Sequence, residues 1–294
     1  MQESLTLWIK GARPKTLPAA IAPVLVGTAC VSLEKSIDRE WINSLLALVV
    51  SLALQVAVNY ANDYSDGVRG TDQKRVGPLR LVGSGSKSAA SVKRAAFIAF
   101  GVAAIFGLIL AVTTTLWLLV IGVMCLAAGW FYTGGKNPYG YIGLGEVFVF
   151  VFFGVVATVG TTFVVIQKIT FVSFLSSVVV GCLACALLAV NNLRDIAGDT
   201  VSSKRTLAVR LGDKHARNFY VLLFVVAAIA TIVLSFSHVH VLLGLVGLAT
   251  AILPIRKVRS GAVGADLITV LGMTGRTQIA VAVMLSFGLV IAGR

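Results

Sequence analysis

The stretch NYANDYSDGVRGTD, residues 59–72, closes a long apolar run and decides how the rest of the chain is interpreted. Residues 41–58 are mostly apolar, which predicts a membrane-spanning helix. If that helix continues through Asp66, one of its faces carries four polar side chains at i, i+3, i+4 and i+7: Asn59, Asn62, Asp63 and Asp66. A carboxylate in a membrane helix costs about 2.5–3.5 kcal/mol at the bilayer centre, so such groups are usually functional. The stretch therefore predicts a site that receives a cation.

A second stretch, NNLRDIAGD at residues 191–199, has the same character and closes the apolar run 171–190. Its polar side chains recur every four residues, again on one helix face: Asn191, Asp195 and Asp199. Both stretches contain the pattern N-x-x-x-D, which ends at Asp66 in the first and at Asp195 in the second. The two stretches are interpreted as a weak internal repeat.

The composition predicts a polytopic, all-α membrane protein. The 294 residues are 57% hydrophobic and 13% charged, and the mean hydropathy is +0.93. A net charge of +13 would suggest a nucleic-acid partner in a soluble protein. Here the basic residues lie in short loops between apolar runs, so membrane topology explains them and no nucleic-acid partner is expected. No hydrophilic domain interrupts the pattern, so residues 1–294 are expected to form one transmembrane domain.

Nine apolar runs can be drawn as transmembrane helices. They cover residues 16–33, 41–62, 94–112, 115–132, 142–165, 171–192, 217–236, 239–255 and 276–293. Residues 260–275 are interpreted as a short interfacial helix. With the N-terminus in the cytoplasm, all but four of the 25 lysines and arginines lie on the inner side; the exceptions are Lys35, Arg39, Lys168 and Arg294. This asymmetry predicts a cytoplasmic N-terminus in the cell membrane, with both polar stretches opening on the cytoplasmic face.

Carboxylates beside basic loops at a water-facing helix end are typical of a site for a polyanion and its metal. Mg²⁺ prefers oxygen ligands and binds one or two carboxylates together with substrate phosphates. Asp66 and Asp195 are predicted to be central to catalysis, and the predicted metal ligands are Asp63, Asp66, Asp72, Asp195 and Asp199. Without a ligand these carboxylates would repel one another. Replacing Asp66 or Asp195 by asparagine is therefore expected to leave the ligand-free protein as stable as before.

The loops that follow the two stretches carry basic residues that could bind phosphate oxygens. The predicted contacts are Arg69, Arg75, Arg80, Arg194, Lys204 and Arg205, with a catalytic role for Lys204. Amides and tyrosines complete the predicted substrate site: Asn59, Asn62, Asn191, Asn192, Tyr132 and Tyr141. The same basic residues are expected from membrane orientation alone, and the tyrosines are also typical interface anchors. Glu146, early in the fifth run, receives no role.

Several motifs resemble those of the UbiA superfamily of intramembrane prenyltransferases, and the resemblance covers essentially the whole chain. NDYSD (62–66) resembles the family's first aspartate-rich motif and DIAGD (195–199) its second. Five segments resemble in particular the branch that prenylates 1,4-dihydroxy-2-naphthoate: RPKTLP (13–18), NDYSDGVRGTD (62–72), RVGPLRLV (75–82), NNLRD (191–195) and KRTLAVRLG (204–212). One departure is that many members carry a third aspartate where this chain has Gly70, and Asp72 takes its place.

The resemblance implies a ring of nine helices around a central cavity that opens laterally to lipid. It also implies that Mg²⁺ on the two motifs holds a polyprenyl diphosphate, whose tail runs into the bilayer. Loss of diphosphate would leave an allylic cation, which the naphthoate ring would attack with loss of CO₂.

Two alternatives stay open at this stage. A transporter would also be polytopic and carry intramembrane carboxylates, although transporter sites usually lie near the midplane on broken helices. Within the superfamily, the alternative acceptors are 4-hydroxybenzoate, homogentisate, haem and a glycerol phosphate.

Overall fold

A computed structural model describes residues 2–34, 40–71, 77 and 79–294. All regular structure in these ranges is helical, without a β-strand, so the predicted all-α class is confirmed. Ten helices follow one another: α1 (Gln2–Ala12), α2 (Pro18–Cys30), α3 (Trp41–Val68), α4 (Ala89–Thr113), α5 (Leu118–Phe131), α6 (Gly145–Ile166), α7 (Phe171–Val201), α8 (Leu207–Ser235), α9 (Val239–Arg259) and α10 (Ala265–Ala292).

Within the described ranges, seven helices are long and apolar enough to cross a membrane: α3, α4, α6, α7, α8, α9 and α10. α1 and α2 add an eighth span if the pair, bent by 54°, crosses together. α5 has only 14 residues, which gives about 21 Å against a hydrocarbon core of about 30 Å. The protein is therefore a multi-pass membrane protein, and both the ninth span and the cytoplasmic N-terminus stay predictions.

The chain breaks between α1 and α2, where Arg13 adopts the left-handed conformation with φ 53°. Asn59 of α3 stabilises this break: its Nδ2 donates to the carbonyl of Ala12 at 2.9 Å and to Thr16 Oγ1 at 3.0 Å. The break would otherwise leave the Ala12 carbonyl without its helical donor. The predicted first span at 16–33 therefore begins at a bend that a polar face of α3 holds in place.

The two polar stretches are the last turns of long helices. α3 runs to Val68, which confirms that it continues through Asp66, and the four predicted residues on its face are all buried: Asn59, Asn62, Asp63 and Asp66. α7 begins at a capping box in which Thr170 and Ser173 bond reciprocally, and it runs to Val201. The second polar stretch of the chain, residues 191–199, is thus also helical.

α10 differs from the sequence-based expectation. It begins at Ala265 and runs without a break to Ala292, so the interfacial helix predicted at 260–275 is wrong. Leu267, Val270 and Leu271 are buried at i, i+3 and i+4. This apolar face packs the first turns of α10 into the bundle instead of leaving them at the membrane surface.

The helices enclose a cavity of about 810 Å³. Its polar end is lined by basic and amide side chains: Lys10, Arg13, Lys15, Asn59, Asn62 and Asn191. Its remaining wall is mainly apolar and includes Phe152 and Phe153 from a π-helical segment of α6, Phe150–Val156. Gly154 in that segment lies directly on α7, since a Cβ there would be 2.7 Å from the Cα of Gly181. The fold thus joins a polar site to a long apolar chamber.

Candidate active site

Asp66 lies at the centre of a buried charge cluster. Its side chain is 5% exposed, and Lys204 Nζ lies 2.9 Å from its Oδ1. Arg80 Nη2 lies 3.6 Å from its Oδ2, and the hydroxyl of Tyr141 donates to its Oδ1. These partners come from the loop after α3, the α5–α6 connection and the loop after α7. Tertiary folding therefore brings the basic loops of both motifs to one carboxylate.

Tyr141 lies between two cations. The guanidinium of Arg69 is 5.1 Å from its ring centroid and Lys204 Nζ is 4.6 Å away, so both make cation–π contacts. Arg69 also donates to the carbonyls of Thr133 and Gly135. Burial and the Asp66 carboxylate raise the pKa of Tyr141. The hydroxyl therefore stays protonated and remains a hydrogen-bond donor.

Asp63, predicted as a metal ligand, is fully buried and faces a loop backbone. Its Oδ2 accepts from the N–H of Leu81 at 2.8 Å, and its Oδ1 accepts from the N–H of Val82 at 2.9 Å. These bonds fix the loop immediately after Arg80 against α3. The contacts thus give Asp63 an anchoring role that helps place the Arg80 guanidinium beside Asp66.

Asp195 is held by its neighbour Arg194. Arg194 Nε donates to Oδ1 at 2.8 Å and Nη2 donates to Oδ2 at 2.7 Å, a bidentate pair. Nη2 also donates to Asn191 Oδ1 at 2.8 Å. A Cβ at Gly77 would lie 3.6 Å from the Arg194 guanidinium carbon, so the loop after α3 approaches the second motif as well.

The last predicted acid, Asp199, lies at the turn that presents Lys204. The carbonyl of Asp199 accepts from the N–H of Lys204 at 2.8 Å, and its Oδ2 accepts from Thr206 Oγ1 at 3.5 Å. The backbone N–H of Arg205 donates to the carbonyl of Tyr141 at 2.8 Å, while the Arg205 side chain is exposed. The turn therefore orients Lys204 inward and Arg205 outward.

The predicted amides make structural contacts on the site's periphery. Asn59 holds the α1–α2 break, and Asn62 Oδ1 accepts from Thr133 Oγ1 at 2.7 Å. Asn192 Nδ2 donates to Glu146 Oε1 at 2.9 Å. Sequence reasoning missed Thr133, for which it had no signal, and left Glu146 without a role, although its position in an apolar run marked it.

Tyr132 lines the cavity. Its ring packs edge-on against Tyr139 with centroids 5.5 Å apart. Burial and then the charge of Glu146 raise the pKa of Tyr132, so its hydroxyl stays protonated. Two further predicted residues, Asp72 and Arg75, lie outside the described residues.

The carboxylates of the two motifs are oxygen donors of the kind that Mg²⁺ prefers. In the described part of the chain, no three His, Cys, Asp or Glu side chains come together as a metal site. Basic groups instead stand beside the acids, Lys204 at Asp66 and Arg194 at Asp195. Asp66 and Asp195 thus offer oxygen donors of the kind that Mg²⁺ binds, and each of these acids has a basic partner in this structure.

The sequence matches the model of the UbiA prenyltransferase family over residues 20–266. A 1,4-dihydroxy-2-naphthoate octaprenyltransferase of Mycobacterium leprae is 47% identical over 290 residues, covering 99% of this chain and 98% of that protein. The protein of the same description from Mycobacterium tuberculosis is also 47% identical, covering 97% and 98%. One from Escherichia coli is 36% identical, covering 86% and 83%.

Solved structures show the same fold. A UbiA homologue from Aeropyrum pernix K1 superposes with a TM-score of 0.68 at 16% identity, covering 94% of this chain and 97% of that one. A UbiA homologue from Archaeoglobus fulgidus bound to DMAPP and Mg²⁺ gives a TM-score of 0.65 at 14% identity, covering 97% and 99%.

Proposed function

This chain belongs to the UbiA prenyltransferase family, and on that premise we propose that it transfers a polyprenyl group to 1,4-dihydroxy-2-naphthoate in menaquinone biosynthesis. The observation that carries the proposal is the meeting of Asp66 with Lys204 and Arg80. Asp66 lies one helical turn from Asn62, and Asn62 lines the polar end of the apolar cavity. Groups suited to a metal and a diphosphate thus border a chamber suited to an isoprenoid tail. The relatives that match nearly the whole chain supply the identity of the acceptor.

The residues take distinct roles in this proposal. Asp66 and Asp195, with Asp199 and Asp72, would hold Mg²⁺, and Asp63 anchors the Arg80 loop. When bound, Mg²⁺ supplies positive charge that offsets the negative charge gathering on the departing diphosphate. Basic side chains would bind the diphosphate oxygens: Arg69, Arg75, Arg80, Arg194 and Lys204, whereas Arg205, predicted as a further contact, has an exposed side chain that faces away from Asp66. In the ligand-free protein, Lys204 and Arg194 neutralise the carboxylates, and they turn to phosphate when the donor arrives.

The reaction requires a site from which water is largely excluded. The donor's C–O bond breaks with its electron pair going to diphosphate, which leaves an allylic cation beside Tyr132. An electron pair of the naphthoate ring forms the new C–C bond at the carbon that bears the carboxylate. The electron pair of the bond between that carbon and the carboxylate then returns to the ring as CO₂ leaves. The product is the reduced form of demethylmenaquinone, and the attacked carbon has no proton to lose.

The same proposal includes the membrane arrangement. Residues 1–294 form one domain with nine spans, α5 being the short one, and the N-terminus is cytoplasmic. The basic loops at 79–88 and 202–206 both adjoin the Asp66 cluster, so the site would open on the cytoplasmic face of the cell membrane.

Purified protein in lipid nanodiscs, given Mg²⁺, a polyprenyl diphosphate and naphthoate labelled at its carboxyl group, tests the activity. We expect labelled CO₂, diphosphate and prenylated naphthalenediol in equal amounts. Parallel reactions with 4-hydroxybenzoate and homogentisate should give no product. Turnover of 4-hydroxybenzoate or homogentisate in place of the naphthoate would assign the protein to another branch of the family. Substrate flux in proteoliposomes without diphosphate release would favour a transporter.

A further inference from the structure

One buried acid near the site has no part in the proposed metal or diphosphate binding. Glu146 is in the first turn of α6 and is 5% exposed. Its Oε1 accepts from Asn192, but its Oε2 is buried and has no hydrogen-bond partner in the described part of the chain. A buried acceptor without a partner is costly, and an acid in a membrane helix more so. Such a group is normally kept for a function.

Glu146 also differs from Asp66 and Asp195 in its charge balance. Lys204 and Arg80 lie at Asp66, and Arg194 lies at Asp195, each within ion-pair distance. No basic side chain of the described residues lies within that distance of Glu146. Among the described residues, no side-chain cation thus offsets the negative charge that an ionised Glu146 carboxylate adds to the site.

The local packing couples this carboxylate to Tyr132 at the cavity wall. Two glycines approach the same edge of the Tyr132 ring: a Cβ at Gly140 would be 2.8 Å from its Cε2, and one at Gly145 would be 3.4 Å from the same carbon and 3.6 Å from the hydroxyl. Gly145 directly precedes Glu146. The Glu146 charge is, after burial, the largest cause of the raised Tyr132 pKa. The residue before Glu146 thus packs against Tyr132, whose side chain lines the cavity.

We propose that Glu146 is a positioning residue for prenyl transfer, whose carboxylate, held by Asn192, makes the Tyr132 wall electronegative and so stabilises the allylic cation. The inference rests on the proposed function, in which positive charge develops on the prenyl group as diphosphate leaves. A fixed negative charge in a low-dielectric wall stabilises such a transition state without reorganisation. The electron-rich face of an aromatic ring transmits that effect to a cation in the cavity.

Two substitutions separate charge from shape. Glu146→Gln keeps the size and the acceptor for Asn192 but removes the charge, whereas Glu146→Asp keeps the charge and shortens the side chain. We expect Glu146→Gln to lower kcat by about ten- to a hundredfold with little change in either KM. Glu146→Asp should retain more of kcat than Glu146→Gln does. A purely structural residue would give the reverse order, and that order would overturn the inference.

A double-mutant cycle with Tyr132→Leu tests whether the Glu146 charge acts on the allylic cation through the Tyr132 ring. If the charge acts through the ring, Glu146→Gln should change kcat by less than about twofold in the Tyr132→Leu background. An undiminished effect there would overturn the role of Tyr132.

Binding provides a readout independent of turnover. Mg²⁺ with a non-hydrolysable diphosphate analogue should raise the melting temperature of Glu146→Gln as much as that of the unsubstituted protein, because Glu146 contacts neither motif acid. Loss of that shift would make Glu146 part of the diphosphate site and overturn the inference. Glu34→Gln, which removes a carboxylate paired with Lys168 at the other end of the bundle, is the matched control. An unsubstituted protein inactive on the naphthoate would contradict the proposed function itself.

Discussion

Lys204 Nζ lies 2.9 Å from Asp66 Oδ1, although 138 positions separate the two residues in the chain. The pair joins the end of α3 to the turn after α7, and both side chains are nearly buried. It gives the ligand-free protein a neutralised site in place of the cluster of repelling acids that the sequence suggested.

The first prediction concerns the Lys204 side chain. Lys204→Ala should raise the KM for the prenyl donor and leave the KM for the naphthoate nearly unchanged, because the ammonium group binds diphosphate in the proposed complex. Loss of one charge-assisted contact corresponds to about 1.5–3 kcal/mol, or roughly ten- to a hundredfold. Steady-state kinetics with each substrate varied measure this. Lys214→Ala, an exposed lysine of α8, is the control, and equal donor KM values for the two variants would remove Lys204 from the site.

The second prediction corrects the expectation that Asp66→Asn leaves the ligand-free protein as stable as before. The substitution leaves Lys204 and Arg80 without their shared carboxylate, so the free energy of unfolding should fall by about 1–3 kcal/mol. The double variant Asp66→Asn with Lys204→Met should recover part of that loss. Thermal unfolding in detergent measures both, with the exposed Asp266→Asn as control.

Ligand binding provides a second measurement on the Asp66→Asn variant. Mg²⁺ with a diphosphate analogue should raise the melting temperature of the unsubstituted protein and barely move that of Asp66→Asn. Turnover should fall by at least about 10²-fold. An Asp66→Asn variant that stays active would show that this carboxylate holds loops together and binds no metal.

The third prediction separates Asp63 from Asp66. Asp63→Asn places an amide NH₂ against the N–H of Leu81 or Val82, which removes one hydrogen bond and opposes two donors. Unfolding free energy should fall by about 1–3 kcal/mol. The variant should nevertheless keep a melting-temperature shift with Mg²⁺ and the diphosphate analogue. Complete loss of that shift would restore Asp63 as a metal ligand.

The fourth prediction concerns membrane topology. Reporter fusions after Lys136, Arg205 and Lys257 should report the cytoplasm, and fusions after Lys168 and His238 should report the outside. The motivation is the basic residues that collect on one side of the predicted spans. A fusion after Arg205 that reported the outside would reverse the proposed orientation of the active site.

The sequence by itself determined the membrane class and the helical form of both polar stretches. Long apolar runs in a lipid environment permit little besides helices. The i, i+3, i+4 spacing within 59–66 then placed its polar side chains on one face, because helix geometry is local. The motif resemblance also identified the family, since NDYSD and DIAGD are contiguous patterns that need no tertiary information.

Tertiary structure alone decided which group each acid meets. Asp63 and Asp66 are three residues apart and chemically identical, yet one accepts two backbone N–H groups and the other receives Lys204 and Arg80. Their partners lie up to 138 positions away, and no local pattern encodes such pairings. The same holds for Glu146, whose neighbours are brought to it by the packing of α6 on α7. Long-range packing, which sets the distance between charges and their access to water, is what turned a row of similar carboxylates into groups with different functions.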